Sequence, residues 1–210
     1  MSIYDPQRRR DRPGARVAMS LLRLAQAIKK LSQEDGAAAG LTPVQAQTLL
    51  FIRYTKPFLT TIGNLARALG ATHVTAVGVV NVLIAHDLVT KVPNPLDGRS
   101  SLLRLTPAGE AACQRLEHWG LTLEASVGQL PPDELAALER GLGAIIWSLR
   151  AVGQLHVGEP CRGCYYFTPD ARPGAAEPHR CGLIDGYLSE ADARLDCPDH
   201  TPAALAERQR

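Results

Sequence analysis

At 210 residues, with 45% hydrophobic and 21% charged side chains, the chain has the composition of an ordinary folded protein, neither disordered nor fibrous. Its net charge of +2 is unevenly shared: 17 Lys/Arg face 12 Asp/Glu before position 151 and 6 face 9 after it, so a polyanion partner would suit the front part. No run approaches the ~18 consecutive apolar residues of a membrane span, and the basic start lacks the apolar stretch of a signal peptide. The expected setting is therefore cytoplasmic, with no membrane partner. There, clustered cysteines argue for metal or redox chemistry rather than disulfides.

Residues 1–14, with Arg8-Arg-Arg-Asp-Arg12 and Pro13-Gly14, read as a flexible basic arm. Val17, Leu21, Leu24, Ile28 and Leu31 then recur at three- and four-residue steps, which predicts an amphipathic helix over 15–33 that Gly36 and Gly40 end. Thr42-Pro43 starts the next helix, to about Tyr54, because proline at the first helical position gives up an N–H that has no partner anyway. Thr61 caps a short helix stopped by Gly70. Thr72 caps another, to about Asp87, whose many valines could equally build a buried strand; its length and capped start favour helix.

Two short strands, 88–91 and 102–105, flank the turn-rich Pro93-Asn-Pro-Leu-Asp-Gly-Arg99. A long helix is expected from Thr106-Pro107 to about Val127, and a last one from Pro131 through Leu149. Two short capped helices followed by a hairpin spell a winged helix-turn-helix.

Leu41-Thr-Pro-Val-Gln-Ala-Gln-Thr-Leu-Leu, Leu65-Ala-Arg-Ala-Leu-Gly70, Asp97-Gly-Arg99 and Leu103-Arg-Leu-Thr-Pro-Ala-Gly109 resemble the MarR family of bacterial regulators, over roughly residues 15–150. The fold class expected is mainly α: a winged helix-turn-helix with a β-hairpin wing, dimerisation helices and a small irregular Cys-rich module. The segments are 1–14 (arm), 15–156 (winged and dimerisation domain), 157–203 (Cys-rich module) and 204–210 (tail). The resemblance implies a homodimer on double-stranded DNA, each winged part docking on half of a palindromic operator. It places Thr72, His73, Thr75 and Ala76 at base edges, and Arg99 at the minor groove with Asp97 holding its guanidinium. The helix from Thr72 carries no Arg or Lys, so bidentate guanine contacts are unavailable from it. Other cations lie at Arg53, Lys56, Arg67, Lys91 and Arg104. Of these, Lys91 and Arg104 are candidate phosphate contacts.

Cys161, Cys164, Cys181 and Cys197 run Cys-x2-Cys-x16-Cys-x15-Cys, with Tyr165, Tyr166 and Phe167 directly after the first pair. That order, with Pro173-Gly-Ala-Ala-Glu177 and Cys181-Gly-Leu-Ile, resembles the cluster-binding half of the high-potential iron–sulfur proteins. A 4Fe–4S cluster on the four cysteines is the implied cofactor. The chain departs from that family at Leu195-Asp196, where Gly-Trp is usual, and lacks the upstream part of its fold; the dimerisation helices are the expected substitute cover. Thiolates also suit zinc, and Cys161/Cys164 with Cys197 and His200 is a zinc-like set. A thiol switch is the third reading, and it leaves the aromatic trio unexplained. Cys113 is expected in a helix core.

No nucleotide loop, Ser/His/Asp arrangement or carboxylate pair is present, so an enzyme is not expected. The expected function is a DNA-binding regulator, not an enzyme, whose operator affinity a redox-sensitive cluster tunes. The alternatives are a regulator with structural zinc and a small aromatic or phenolic effector, and an electron-transfer protein.

Overall fold

Asp5 opens the first helix by accepting a hydrogen bond from the Gln7 amide at 2.9 Å, and Pro6 fills the first helical position. In this computed structural model, residues 2–95 and 97–203 are described; the expected 204–210 tail lies outside them. The chain divides into two compact units, Met1–Pro43 with Arg115–Leu138 and Val44–Gln114 with Glu139–Arg210.

In the first unit, α1 (Pro6–Asp11) and α2 (Pro13–Ala38) occupy the region expected to be a flexible arm. Two Pro-led starts and the Asp5 cap supply the local order that the arginine run concealed. α2 continues through Gly36, since Gly36 O accepts from the amides of Ala39 (3.0 Å) and Leu41 (2.9 Å), and the stop is Gly40 at φ +73°. Only Ala15, Met19 and Gly36 of α2 are buried; Val17, Leu22, Leu24 and Ile28 remain exposed. The expected long helix after Thr106 is two, α6 (Pro107–Arg115) and α7 (Leu121–Val127). Gly120, at φ +83°, turns the chain between them and donates its amide to Asp35 at 3.0 Å.

The second unit carries the winged head. It comprises α3 (Pro43–Tyr54), a 3-10 turn (Pro57–Leu59), α4 (Ile62–Ala68), α5 (His73–Ala85), and the hairpin β1 (Val89–Pro93) and β2 (Ser101–Leu105). Thr61 and Thr72 cap α4 and α5 as expected, each accepting an amide hydrogen bond at 3.2 Å. The valine-rich segment is a helix because Ala76, Val80 and Leu83 fall at helical spacing and are all fully buried. Leu49 of α3, Leu65 of α4 and Leu103 of β2 are likewise at 0% exposure. Truncating one of these leucines to alanine would cost about 2–5 kcal/mol. The hairpin is a residue or two longer than expected, pairing Val89 with Leu105 through Pro93 with Ser101. Thr60 locks onto its edge, its carbonyl taking the Leu103 amide at 2.8 Å and its hydroxyl donating to Leu103 O at 2.9 Å.

Thr106-Pro-Ala-Gly109 has a physical reason. Thr106 Oγ1 donates to Asp87 O at 2.5 Å and accepts the Gly109 amide at 3.0 Å. A Cβ on Gly109 would stand 2.0 Å from Leu88 O, so only glycine lets α6 lie this close.

α8 (Pro132–Ala151) buries no residue fully and leaves Leu135, Leu138, Ile146 and Leu149 exposed. Residues 157–203 fall in the same unit as the winged head. They hold a three-stranded antiparallel sheet, β3 (Phe167–Thr168), β4 (His179–Cys181) and β5 (Gly186–Leu188), followed by α9 (Glu190–Arg194), with turns between.

Candidate metal centre and its seat on the winged head

Cys161 donates its amide to Ala193 O at 3.0 Å and accepts at its carbonyl from Cys164 N at 2.9 Å, which closes the knuckle. Gly163, at φ +80°, permits that tight return. Cys181 ends β4 opposite Phe167, and Cys197 pairs antiparallel with Glu159, the bonds being 2.9 and 3.3 Å. These four separate fixings bring all four expected thiols to the wall of one cavity. None is in a disulfide. Phe167, Leu183, Ile184 and Leu188 supply apolar lining from the module; Phe58 and Leu59 supply it from the 3-10 turn of the head. Phe58 also packs on the small core of Cys161, Leu188 and Ala193. The cover expected from the dimerisation helices thus comes from the winged head instead. Cys113 lies apart, buried in α6 as expected.

Burial dominates the electrostatics of this cavity. It pushes the Cys197 thiol up to about 11, and raises Cys161 against the opposing pull of the Lys56 ammonium. Lys56, one of the cations expected on the surface, is 2% exposed, and its Nζ donates to Leu195 O at 2.5 Å. His200 is buried at 4% exposure with Nδ1 3.5 Å from Glu159 Oε2, and burial lowers its pKa. It lines a separate open pocket beside Asp199 and Thr201 rather than the cysteine cavity. His200 N donates to Cys197 O at 3.1 Å, and His200 is not among the residues that line the cysteine cavity. His179 is held by Glu190 Oε2 at 2.7 Å and by the Asp170 amide at 3.2 Å, a structural tie within the module.

The module is bonded to the head at several points. Asp196 N donates to Tyr54 O at 2.8 Å, and Lys56 N donates to Asp196 O at 3.0 Å. Arg67 of α4 pairs with Asp199 at 3.1 Å. From the end of α8, Arg150 donates to His200 O at 2.6 Å and pairs with Glu159 at 3.4 Å.

On the head's outer face, α5 exposes Thr72, His73 and Thr75, but Ala76 is fully buried and cannot meet a base edge. That expectation is corrected by the register of α5, which turns 76, 80 and 83 inward together. Val74, not singled out from the sequence, is 80% exposed. α5 is apolar on nearly every side, so periodicity alone could not tell its outer valine from its inner ones. Arg99 projects with 96% side-chain exposure. Asp97 accepts from its amide at 3.1 Å and from Nε at 3.5 Å, and the amide bond is the main reason the Asp97 carboxyl is held below its usual range. Lys91 reaches Asn81 at 3.4 Å. Arg104 is tied down: its Nη1 donates to Pro57 O at 2.7 Å and to Thr60 Oγ1 at 2.9 Å, which makes it a brace between turn and wing. Arg53 is paired with Glu110 at 2.7 Å.

Residues 39–100 match the MarR family. Among solved structures, a probable transcriptional regulator from Pseudomonas aeruginosa is 27% identical, over 64% of this chain and 100% of its own, with a TM-score of 0.52. Wild-type MarR from E. coli in its apo form is 26% identical, over 61% of this chain and 95% of its own, at 0.50. The transcriptional repressor CouR, bound to a 23-mer DNA duplex, is 25% identical, over 60% of this chain and 89% of its own, at 0.51. No curated protein matches.

The MarR match thus covers α3, α4, α5 and the first half of the wing, and it ends well before the first of the four clustered cysteines. The segment that the module grips, Tyr54 to Phe58 with Arg67, lies inside it.

Proposed function

We propose that the protein is a DNA-binding transcriptional regulator of the MarR kind, acting as a homodimer on a palindromic operator. Its operator affinity is tuned by a redox-sensitive 4Fe–4S cluster on Cys161, Cys164, Cys181 and Cys197. The DNA half is supported by the winged head and by its likeness to CouR, which is described on a duplex. Thr72, His73 and Thr75 on α5 suit a major groove, Arg99 suits the adjacent minor groove, and Lys91 suits phosphate. With Val74 beside them and no cation on α5, readout favours thymine methyls and groove shape over guanine. Apolar side chains left in solvent by α2 and α8, such as Leu24 and Leu149, suit burial against a second copy.

The cofactor half rests on one observation, the convergence of four thiols on a single apolar cavity. Among the described residues, no three His, Cys, Asp or Glu stand where one metal ion could hold them. A 4Fe–4S cluster held by the four cysteines would supply a one-electron couple whose potential depends on charge and water exclusion. Phe58, Tyr166 and Phe167 line the cavity with the thiols as apolar cover, and Lys56 places a positive charge beside them. The bond pair Tyr54–Asp196–Lys56 fixes this site to the turn that leads into α4 and α5. A coupling of ~1–3 kcal/mol through that seat would change operator affinity about 5–150-fold.

The test compares full-length protein, reconstituted anaerobically with iron and sulfide, with its Cys181→Ala variant on DNA fragments selected from a random pool. The expected result is an affinity difference of at least about fivefold. Equal affinities would remove the cysteine site from DNA control.

A further inference from the structure

Lys56 is the one lysine of the winged head placed among the four thiols, and nothing in the family resemblance or in the DNA-reading surface calls for it. Its 2% exposure means that its ammonium has given up water. Such a charge is tolerated in a protein interior only with compensating hydrogen bonds and opposite charge. The hydrogen bonding is partial: of three N–H donors, one is taken by Leu195 O. No carboxylate forms an ion pair with Nζ among the described residues; Asp196 acts on it from farther off, and its own carboxyl is raised by burial. What the ammonium does meet is sulfur. It lines the cavity with all four cysteines, and its charge pulls on the Cys161 and Cys197 thiols.

The sign of the missing charge follows. Four thiolates around a metal centre would place net negative charge in the cavity with Lys56, whereas neutral groups there would leave it only Asp196, which acts from farther off, and Asp199, which is paired with Arg67. The position of Lys56 in the chain gives that charge a consequence. Its own amide holds Asp196 O at 3.0 Å, and the Asp196 amide holds Tyr54 O at 2.8 Å. The residue that senses the occupant is therefore also a rung of the bridge between module and head. Phe58, two positions on, fills the module's core from the same turn.

Resting on the cofactor reading above, we propose that Lys56 is the coupling residue of the thiolate site: a buried ammonium, contributed by the winged head, that makes an anionic metal–thiolate occupant and the docking of residues 157–203 on that head mutually dependent. Occupation supplies the counter-charge that keeps Lys56 buried, and loss of the occupant favours a Lys56 that returns to water and takes the two main-chain bonds with it. The signal then reaches the head beside α4, without passing through the dimerisation helices.

Hydrogen exchange at the Lys56 and Asp196 amides reads this directly, because both bonds break when the module lifts. Full-length protein is compared before and after anaerobic loading with ferrous iron and sulfide. Loading is expected to slow both amides about tenfold or more. In Lys56→Gln, which keeps an N–H donor for Leu195 O but removes the charge, the cysteines still take up iron while the slowing falls below about twofold. Lys56→Arg restores it. Equal slowing in wild type and Lys56→Gln would overturn the coupling role while leaving the cofactor reading intact. Wild-type protein that loads iron with no change at either amide would overturn it without any variant, even if Lys56→Gln did not fold. Wild-type protein that takes up no iron would bring down the cofactor reading, and this inference with it.

Discussion

The outer face of the head and the cysteine cavity use the same few kinds of side chain in opposite ways. On the outer face Arg99 stands at 96% exposure with one short-range partner, Asp97, and its charge is available to whatever approaches. In the cavity Lys56 stands at 2% exposure, and its charge is available only to groups already inside the fold. A cation at the surface selects a partner by steering and contact; a buried one selects an occupant by the energy of leaving it unpaired. The two regions lie in one compact unit, and the bonds from Asp196 to Tyr54 and Lys56 join the module to the head within it.

Three substitutions or conditions sharpen that contrast. Arg99→Ala carries the largest expected effect, a loss of on the order of 1–3 kcal/mol in operator binding with unchanged iron content. If iron content fell as well, the two regions would not be separable as described. Arg104→Ala is expected to lower folding stability by about 1–2 kcal/mol, because Pro57 O and Thr60 lose their donor. The slope of log affinity against log salt should stay at its wild-type value. A slope shallower by about 0.9 would mean that Arg104 meets a phosphate and is no brace.

The smallest effect concerns pH. In metal-free protein the Cys197 thiol is pushed up to about 11 from its ordinary value near 9, so between those values the unfolded chain ionises while the folded one holds its proton. Its contribution to stability is fully present below pH 9 and is lost as pH rises toward 11. Thermal unfolding from pH 8 to 11 should show this decline in wild type and a flatter profile in Cys197→Ala. Identical profiles would show that Cys197 is not desolvated in the folded protein.

Much of the head was legible in the sequence because its signals are local. Thr61 and Thr72 cap where hydroxyls precede apolar runs, Gly70 stops α4, and Thr106 to Gly109 joins wing to α6 through bonds within four residues. The four cysteines were legible as a group because thiol spacing is itself a chemical signal. Other features were hidden for physical reasons. The order of α1 rests on the Asp5 cap and Pro6, weak signals beside a conspicuous arginine run. The break between α6 and α7 rests on one glycine within an otherwise helical pattern. Which of Val74 and Ala76 faces outward was hidden because α5 is apolar on almost all faces. The seat of the module on the head was out of reach altogether: the Lys56–Leu195 bond joins residues 139 positions apart, and neither bears a pattern that points to the other.

The most direct measurement is a visible absorption spectrum with iron, sulfide and zinc assays on full-length protein purified without oxygen. The account predicts a brown protein with about four irons and four sulfides per chain. A colourless protein that stays colourless after anaerobic reconstitution, with about one zinc per chain, would contradict it.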